Sequence, residues 1–255
     1  MLTVFDKLSR DMIILTLPAM LKVITATINK SIETSTFPSS WKIALVRPLP
    51  KNNDPKDLKD LRPISILPFL AKILEKVIYN QVIKFCDANN ILPDLQSGFR
   101  KGRSTSTALL DVVDNILTSQ DSGRGTILTL LDFSRAFDSI NIDLLLSKLS
   151  FYGFVTSSIK WFQSYLCGRS QQVILNQPNG SSLVSEQRPL NRGVPQGSIL
   201  GPLLFIIYTA DITNCMHFCK YHLYADDLQV YLSCNSLEFL FTISNINEDL
   251  NRIAI

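Results

Sequence analysis

The segment Tyr221-His222-Leu223-Tyr224-Ala225-Asp226-Asp227-Leu228-Gln229-Val230-Tyr231-Leu232 decides the fold of this chain. Two short runs of strand-forming residues flank the tetrad Tyr224-Ala225-Asp226-Asp227, which predicts a β-hairpin with two acids at its tip. Adjacent carboxylates repel each other, and a divalent cation such as Mg²⁺ is the usual reason to gather them, because it prefers oxygen ligands. The alternative is that Asp simply favours turns. The tetrad alone leaves both interpretations open.

A third acid, Asp132, directly follows residues 126–131, which have the composition of a buried strand. Two-metal phosphoryl transfer needs at least two acids from different strands, holding cations about 3.5–4 Å apart. Asp132 together with Asp226 and Asp227 supplies such a set. As an alternative, Asp132 could cap the helix predicted at residues 142–149, but three other capping residues lie closer to the start of that helix: Asp138, Ser139 and Asn141.

The order of motifs along the chain carries more information than any one of them. The motifs are Phe37-Pro38-Ser39-Ser40-Trp41-Lys42-Ile43-Ala44, Leu49-Pro50-Lys51, Leu61-Arg62-Pro63-Ile64-Ser65, Gln96-Ser97-Gly98-Phe99-Arg100-Lys101-Gly102-Arg103-Ser104-Thr105, Asp132-Phe133-Ser134-Arg135-Ala136-Phe137-Asp138, Gly193-Val194-Pro195-Gln196-Gly197-Ser198-Ile199-Leu200-Gly201-Pro202-Leu203-Leu204-Phe205 and the tetrad. This order resembles that of the reverse transcriptases of non-LTR (LINE-type, jockey-like) retrotransposons. The resemblance runs through nearly the whole chain.

The resemblance implies an RNA-directed DNA polymerase domain that performs template-directed nucleotidyl transfer by a two-metal mechanism. Its expected partners are an RNA template, a DNA primer and deoxynucleoside triphosphates, and its expected cofactors are two Mg²⁺ ions, with Mn²⁺ as a substitute. By resemblance, Asp132 and Asp226 bridge the metals and Asp227 supports the site. The carbonyl of Phe133 would complete the metal shell.

The resemblance also assigns nucleotide-binding roles. Lys51 and Arg62 match residues that clamp the incoming triphosphate, for which positive charge is the chemical requirement. The alternative for both is a solvated surface position. Gln196 and Gly197 match residues that pack against the nascent base pair, where glycine permits close backbone approach. The alternative there is an ordinary turn before the next helix.

Phe137 matches an aromatic residue that lies beneath the sugar of the incoming nucleotide. A bulky ring at this position would collide with a 2′-hydroxyl, so the resemblance implies that Phe137 selects deoxyribonucleotides. The alternative is an ordinary core phenylalanine, spaced one helical turn from Phe133.

The densest basic cluster of the chain consists of Arg100, Lys101 and Arg103, and a predicted helix N-terminus follows it at Ser104. This combination suits phosphate oxygens, so we interpret Arg100 and Arg103 as template contacts. The alternative is a solvated loop. Phe99 does not decide between them, since it could stack on a base or be buried.

Composition is compatible with this interpretation without requiring it. The chain has 255 residues, 46% of them hydrophobic, which is enough for a sizeable core. A net charge of +3 is too small to indicate nucleic-acid binding by itself. The segment that comes nearest to a membrane span, residues 199–207, is far shorter than the roughly 20 apolar residues that a span needs. No signal peptide is predicted, so we expect an intracellular protein without a membrane partner, in either nucleus or cytoplasm.

Five cysteines without regular spacing argue against a disulfide framework. Cys215, His217, Cys219 and His222 could in principle bind zinc, but their spacing matches no common finger. We expect these residues to pack as part of the structure, and their role stays open.

The predicted fold is α+β, with helices at residues 12–32 (interrupted at Pro18), 68–85, 104–117, 142–149, 157–166, 198–212 and 236–253. Strands are predicted at residues 43–48, 126–131, 171–176, 183–188, 221–223 and 228–232, with a turn at Pro178-Asn179-Gly180. By resemblance this is the palm and fingers of a right-hand polymerase without a thumb. We assign residues 1–125 to the fingers, 126–141 to the palm strand, 142–190 to an insertion with a hairpin, and 191–255 to the palm with the catalytic hairpin.

Two other functions stay open at this point. The family continues past the tetrad into segments that the sequence lacks after Ile255, so the first alternative is a decayed or truncated copy that binds nucleic acid without polymerising. Less favoured is another two-metal palm nucleotidyltransferase, such as an RNA-templated RNA polymerase or a nucleotide cyclase. Phe137 and the Gly193–Phe205 motif favour the reverse transcriptase.

Overall fold

The computed structural model describes residues 10–177 and 180–254. Its elements in chain order are α1 (Arg10–Glu33), β1 (Ile43–Pro50), β2 (Leu61–Ile66), α2 (Phe69–Ala88), α3 (Thr105–Asp121), β3 (Gly125–Asp132), α4 (Ala136–Ser139), α5 (Ile142–Phe151), α6 (Thr156–Leu166), β4 (Arg169–Asn176), β5 (Ser182–Val184), β6 (Arg188–Leu190), α7 (Leu200–Tyr208), β7 (Lys220–Tyr224), β8 (Asp227–Cys234) and α8 (Phe239–Ala254). The predicted α+β class is confirmed.

The chain folds into two compact units, each built from two separate stretches of sequence. The first unit contains residues 10–84 and Phe137–Leu204, and the second contains Phe85–Ala136 and residues 205–254. These divisions differ from the predicted boundaries after residues 125, 141 and 190, and the assignment of segments to palm and fingers stays a prediction.

The first unit contains a five-stranded sheet in the order β2-β1-β4-β5, with β6 also paired to β4. β1 is antiparallel to β2 and parallel to β4. The sequence did not predict β2. Pro63 is tolerated there because it lies opposite Pro48 on a strand that pairs on one side only among the described residues. The predicted hairpin turn at Pro178 and Asn179 lies outside the described residues.

An aromatic cluster forms part of the core of the first unit. The rings of Trp161 and Tyr165 stack with their centroids 5.5 Å apart, and the ring of Phe37 contacts both edge-on. The backbone N–H of Phe37 donates to the Ser164 hydroxyl at 2.9 Å. This packing holds α6 next to the chain that enters β1, because buried aromatic pairs are stabilising beyond their area.

Helix α7 begins at a buried acid contributed by α2. The Glu75 carboxylate accepts hydrogen bonds from the backbone N–H groups of Ile199 at 2.6 Å and Leu200 at 3.3 Å. Burial raises the pKa of Glu75 in spite of these hydrogen bonds. The helix ends at Tyr208, earlier than predicted. The Thr209 hydroxyl bonds to the Phe205 carbonyl, and such side-chain bonding disfavours continuation of a helix.

The second unit contains the antiparallel sheet β3-β8-β7. Leu223, Leu228 and Val230 form its buried centre, and side chains from neighbouring segments pack against them: Leu131, Phe133, Ile212, Met216, Cys219, Tyr221, Leu250 and Ile253. Helix α8 contacts β8, and α3 contacts β3 and β7. The predicted hairpin and the predicted strand before Asp132 therefore belong to one sheet. The prediction that this strand is buried was wrong, because none of the residues Gly125–Asp132 is buried and Leu130 is 69% exposed.

Helix α1 runs from Arg10 to Glu33 without the predicted interruption at Pro18. A single proline removes one backbone hydrogen bond, which the rest of a long helix can outweigh. Its segment Asp11–Glu33 is long and apolar enough to cross a membrane, and only 11% of its most apolar stretch is buried. The prediction that residues 199–207 come nearest to a membrane span was therefore wrong. Core helices of soluble proteins and signal sequences can have the same length and apolar composition.

Candidate active site

Asp132 and Asp227 lie directly opposite each other in the ladder of β3 and β8. Their neighbours Leu131 and Leu228 belong to the core cluster of the second unit. Because successive side chains of a strand point to opposite faces, both carboxylates lie on the face away from that cluster. Both residues are exposed. The pairing of β3 with β8 thus brings together two acids that lie far apart along the chain, and the alternation of side chains puts both on the same face.

Asp226 occupies the turn between β7 and β8, next to Asp227. Tyr224 pairs with Asp227, which leaves Ala225 and Asp226 as the two residues of a tight turn. Ala225 is buried and has a positive φ of 58°. Few non-glycine residues adopt this left-handed conformation, and they occur mainly in turns and at functional sites.

The three acids influence one another electrostatically. Burial, followed by the charges of Asp226 and Asp132, raises the pKa of Asp227. A bound cation would remove this repulsion, and the donors available are oxygens, which suit a hard divalent ion. Within residues 10–177 and 180–254, no three His, Cys, Asp or Glu side chains are gathered closely enough to hold a metal ion. The acids therefore form a facing pair with a neighbour on the turn, and not a closed cage.

The segment Gln96-Ser97-Gly98 lies beside β7 and contacts the turn that carries the tetrad. Gln96 pairs with Leu223 in a parallel bridge, and its side chain bonds to both backbone polar groups of Ala225. A Cβ atom at Gly98 would overlap the Ala225 backbone. No role was predicted for Gln96 and Gly98 from the sequence, because side-chain patterning does not reveal contacts to a distant backbone.

A buried polar chain supports the same bridge. The Ser97 hydroxyl lies 2.9 Å from His222 Nε2, and His222 Nδ1 lies 2.9 Å from an Asp111 carboxylate oxygen. Ser97 and His222 are both buried. A buried serine is not accessible to a substrate, so the arrangement acts as a structural link between α3, β7 and the Gln96 bridge.

The nucleotide-binding residues predicted from the Gly193–Phe205 motif lie in the first unit. Gly193 has a φ of +78°, and a Cβ atom there would lie 2.7 Å from the Phe137 carbonyl oxygen. The N–H of Val194 donates to the same oxygen at 2.9 Å. The structure therefore brings the loop that carries Gln196 next to the segment that carries Phe137, which is half-buried.

Gln196 and Gly197 are fixed by contacts on two sides. The Gln196 side-chain amide donates to both carboxylate oxygens of Asp138 at 3.2 Å, and the backbone carbonyl of Gln196 accepts from the Ser65 N–H at 2.6 Å. Gly197 has a φ of +120°, and a Cβ atom there would lie 2.5 Å from the Ser65 carbonyl oxygen. Glycine is required at this position on both counts.

Lys51 and Arg62 lie close together at the end of the β1–β2 ladder that is joined by the connecting loop. Arg62 pairs with Leu49, and the N–H of Lys51 donates to the Asp60 carbonyl at 2.8 Å. Both side chains are exposed. Their proximity follows from the register of β1 and β2, which was not predicted from the sequence.

The basic cluster in the second unit is partly tied to its own loop. The Arg100 guanidinium donates to the Pro93 carbonyl at 2.7 Å, and the Arg103 guanidinium contacts Asp94. Burial, followed by repulsion from Arg103, lowers the pKa of Arg100, although arginine stays charged in proteins. Lys101 is exposed. These contacts orient the two predicted template residues without testing their role.

The Cys/His cluster divides between two structural networks. The backbone N–H groups of His217, Phe218 and Cys219 donate to the buried carboxylate of Asp249 at 2.8–2.9 Å. Burial, followed by Asp249, raises the pKa of the Cys219 thiol to about 12, so this sulfur is protonated at neutral pH. The side chain of His222 bonds to Ser97 and Asp111 instead. No zinc cluster forms among the described residues.

Comparison with known proteins decides the family. A protein-family model described as reverse transcriptase (RNA-dependent DNA polymerase) matches residues 49–249 of the chain. The chain belongs to the reverse transcriptase family. Reverse transcriptases generally use divalent metal ions and act on nucleic-acid templates and nucleotides.

The curated relatives of this reverse transcriptase chain include insect retrotransposon proteins. It is 33% identical over 196 residues to a probable RNA-directed DNA polymerase from transposon X-element of Drosophila melanogaster, covering 74% of this chain and 20% of the relative. Identity to the corresponding protein of transposon BS is 33% over 213 residues, covering 78% and 22%. Identity to the protein of mobile element jockey is 31% over 185 residues, covering 72% and 20%. The chain thus spans about a fifth of these relatives.

A solved structure supports the reverse transcriptase fold. Apo telomerase from Candida tropicalis, truncated from its C-terminal domain, matches with a TM-score of 0.50 at 14% identity. The match covers 83% of this chain and 47% of the telomerase chain. At this identity the likeness concerns the fold alone.

Proposed function

We propose that this chain copies RNA into DNA, with Asp132, Asp226 and Asp227 as the metal-binding acids of its active site. The observation that carries the proposal is the facing pair of Asp132 and Asp227, with Asp226 beside it on a tight turn, in a chain of the reverse transcriptase family. The raised pKa of Asp227 supports it, because the charges of Asp226 and Asp132 add to the effect of burial, and repulsion between acids is expected where a cation is to bind.

In the proposed reaction, the 3′-oxygen of a DNA primer attacks the α-phosphorus of a deoxynucleoside triphosphate. A phosphorus–oxygen bond forms to the primer, the bond to the β-phosphate breaks, and pyrophosphate leaves. Mg²⁺ ions held by Asp132 and Asp226 would supply the positive charge that lowers the cost of releasing the 3′-hydroxyl proton to water and that neutralises the pyrophosphate leaving group. Asp132 and Asp226 hold the ions in this proposal, with support from Asp227 and the Phe133 carbonyl, and Mn²⁺ is a suitable substitute.

The remaining roles concern substrate binding. Lys51 and Arg62, exposed at the end of one strand pair, supply positive charge to the triphosphate. Phe137 excludes a 2′-hydroxyl. Gln196 and Gly197 contact the nascent base pair from a loop whose position is fixed by Asp138 and Ser65.

Template contact belongs to Arg100 and Arg103, each of which already has a backbone carbonyl as a partner. A guanidinium carries five N–H donors, so one bond to a carbonyl leaves donors for phosphate oxygens. An anchored arginine also loses less conformational entropy on binding.

The test is incorporation of a single nucleotide into a DNA primer annealed to an RNA template, with Mg²⁺ present. We expect extension by the wild-type chain and none above background with Asp226→Asn. Asp121→Asn, the same change at an exposed acid at the end of α3, is the matched control and should extend normally. If the wild-type chain binds primer–template but does not extend it, the polymerase proposal is wrong and the binding-only alternative holds.

A further inference from the structure

The turn that carries Asp226 is held by a side chain from a distant part of the sequence. Gln96 Oε1 accepts hydrogen bonds from the N–H groups of Ala225 at 2.9 Å and Gly98 at 2.7 Å. Gln96 Nε2 donates to the Ala225 carbonyl at 3.3 Å. One carboxamide thus satisfies both polar groups of the Ala225 residue.

Burial makes these hydrogen bonds consequential. Gln96 is 1% exposed and Ala225 is 7% exposed, so water cannot replace a missing partner. An unpaired buried polar group is unfavourable, and Ala225 has two of them. Its left-handed backbone, with a φ of 58°, is also unfavourable for a residue with a Cβ atom. The surrounding structure must supply what the local sequence does not.

Backbone hydrogen bonds on both sides of Gln96 hold its side chain next to the Ala225 backbone. The N–H of Ser97 donates to the Leu223 carbonyl, and the N–H of Leu223 donates to the Leu95 carbonyl, both at 2.8 Å. Gly98 packs so closely on Ala225 that no side chain fits between them. The Gln96 backbone is therefore fixed on the last residues of β7 before the turn.

We propose that Gln96 is a positioning residue for the active site, which holds the Ala225 backbone so that Asp226 and Asp227 face Asp132. This inference rests on the proposed function. Gln96 contacts neither the acids nor, in the proposal, the substrate. It acts through the backbone of the residue before Asp226, in the way that outer residues of a metal site orient the ligands.

The variant that tests this role is Gln96→Met, which keeps the length of the side chain and removes all three hydrogen bonds. Three readouts apply: hydrogen exchange of the Ala225 amide, the dissociation constant for Mn²⁺, and kcat and KM for single-nucleotide extension. We expect faster exchange of the Ala225 amide and a lower kcat. The Mn²⁺ dissociation constant should increase by about tenfold, which is typical when a residue that orients a metal ligand is replaced. The KM for the nucleotide should not change, because Gln96 does not contact it.

Ser97→Ala is the matched control. It removes the hydrogen bond to His222 from the adjacent residue and leaves the Gln96 hydrogen bonds intact. It should lower thermal stability without changing Mn²⁺ affinity or kcat. Equal losses of kcat in both variants would mean that the bridge has a general structural role, and would overturn the inference. Wild-type Mn²⁺ affinity and kcat in Gln96→Met would overturn it as well.

If Gln96→Met does not fold, Gln96→Glu replaces it, since this change keeps the accepting oxygen and removes only the donor to the Ala225 carbonyl. Because the Ala225 N–H keeps its acceptor in this variant, the readout is kinetic: a reduced kcat with an unchanged KM for the nucleotide then supports the inference, and a wild-type kcat overturns it. Failure of the proposed function is distinguishable, because there the wild-type chain itself neither binds Mn²⁺ nor extends a primer.

Discussion

Asp132 lies directly opposite Asp227 across the antiparallel ladder of β3 and β8. Like charges that face each other in a sheet are destabilising. Burial, followed by the charges of Asp226 and Asp132, raises the pKa of Asp227, so its ionised form is less favourable in the folded chain than in the unfolded one. The carboxylates therefore work against folding when no cation is bound.

Replacing Asp227 by Asn should raise the melting temperature by a few degrees at pH 7 in the presence of EDTA. The gain should shrink as the pH falls through the raised pKa of Asp227, because the wild-type carboxyl then takes up a proton and loses its charge. Adding Mg²⁺ should stabilise the wild-type chain more than the variant. Thermal denaturation measures all three, and a lower melting temperature of the variant in EDTA would contradict the prediction.

The contribution of Asp249 to folding stability depends on pH in the opposite direction to that of Asp227. Burial opposes ionisation of its carboxyl, but hydrogen bonds from the N–H groups of His217, Phe218 and Cys219 outweigh burial and lower its pKa. Its contribution to stability is therefore present above the unfolded pKa of about 3.9 and is lost as the pH falls through the lower folded value.

Asp249→Asn should reduce the free energy of unfolding at pH 7 by roughly 2–3 kcal/mol, because one accepting oxygen is replaced by an amide that faces N–H groups. The difference from wild type should narrow below about pH 4, where the wild-type carboxyl also loses its charge. Urea denaturation at neutral and acidic pH measures this. A difference that stays constant over the whole range would contradict the assignment.

Gly98→Ala should damage the catalytic turn, because the added Cβ overlaps the Ala225 backbone. We expect loss of primer extension and a destabilisation of roughly 1–3 kcal/mol, as for other overpacked sites. Gly125→Ala in the same unit is the matched control, since its nearest neighbour would be the Cys234 carbonyl oxygen at 4.0 Å. Equal activity and stability of the two variants would mean that the turn is not packed as described.

Phe137→Val should increase incorporation of ribonucleotides relative to deoxyribonucleotides. A smaller side chain leaves room for the 2′-hydroxyl, and the contacts of Gly193 and Val194 with the Phe137 carbonyl do not depend on the ring. The ratio of kcat/KM for the two sugars in primer extension measures the effect. Unchanged discrimination would show that Phe137 is an ordinary packing residue.

Arg100→Ala combined with Arg103→Ala should weaken binding of an RNA template. The slope of log affinity against log salt concentration should fall by about 0.7–0.9 for each phosphate that the variant no longer neutralises, because neutralised phosphates release counterions. Arg124→Ala, which removes an exposed arginine paired with Glu238, is the control and should leave the slope unchanged. Affinity lowered equally at all salt concentrations would indicate a structural role for the two arginines.

Local patterns in the sequence predicted the elements that carry the acids. Runs of strand-forming residues located β3, β7 and β8, and Asn141 caps α5 by accepting from the Leu144 N–H, as its position suggested. The pairing of Asp132 with Asp227 follows once β3 is placed beside the hairpin. Choosing that neighbour depended on the family resemblance, because no local pattern specifies which strands pair.

Features that depend on contacts between distant parts of the chain could not be predicted from the sequence. β4 pairs with both β5 and β6, so the predicted simple hairpin at residues 171–188 was incomplete. The bonds from Gln96 to Ala225 and from His217, Phe218 and Cys219 to Asp249 join side chains to backbone groups far along the chain. Such bonds leave no periodic pattern, because one polar side chain suffices for each.

The division of each unit into two stretches of sequence has a consequence for synthesis on the ribosome. All segments of the first unit have been translated once Leu204 is added, whereas β3 has no strand partner until β8 emerges. Meanwhile Leu128 and Leu130, exposed even in the finished sheet, belong to a nascent strand with unpaired backbone groups. Closing the long loop between β3 and β8 is slow, so the half of the chain that holds the acids should depend on chaperones during translation.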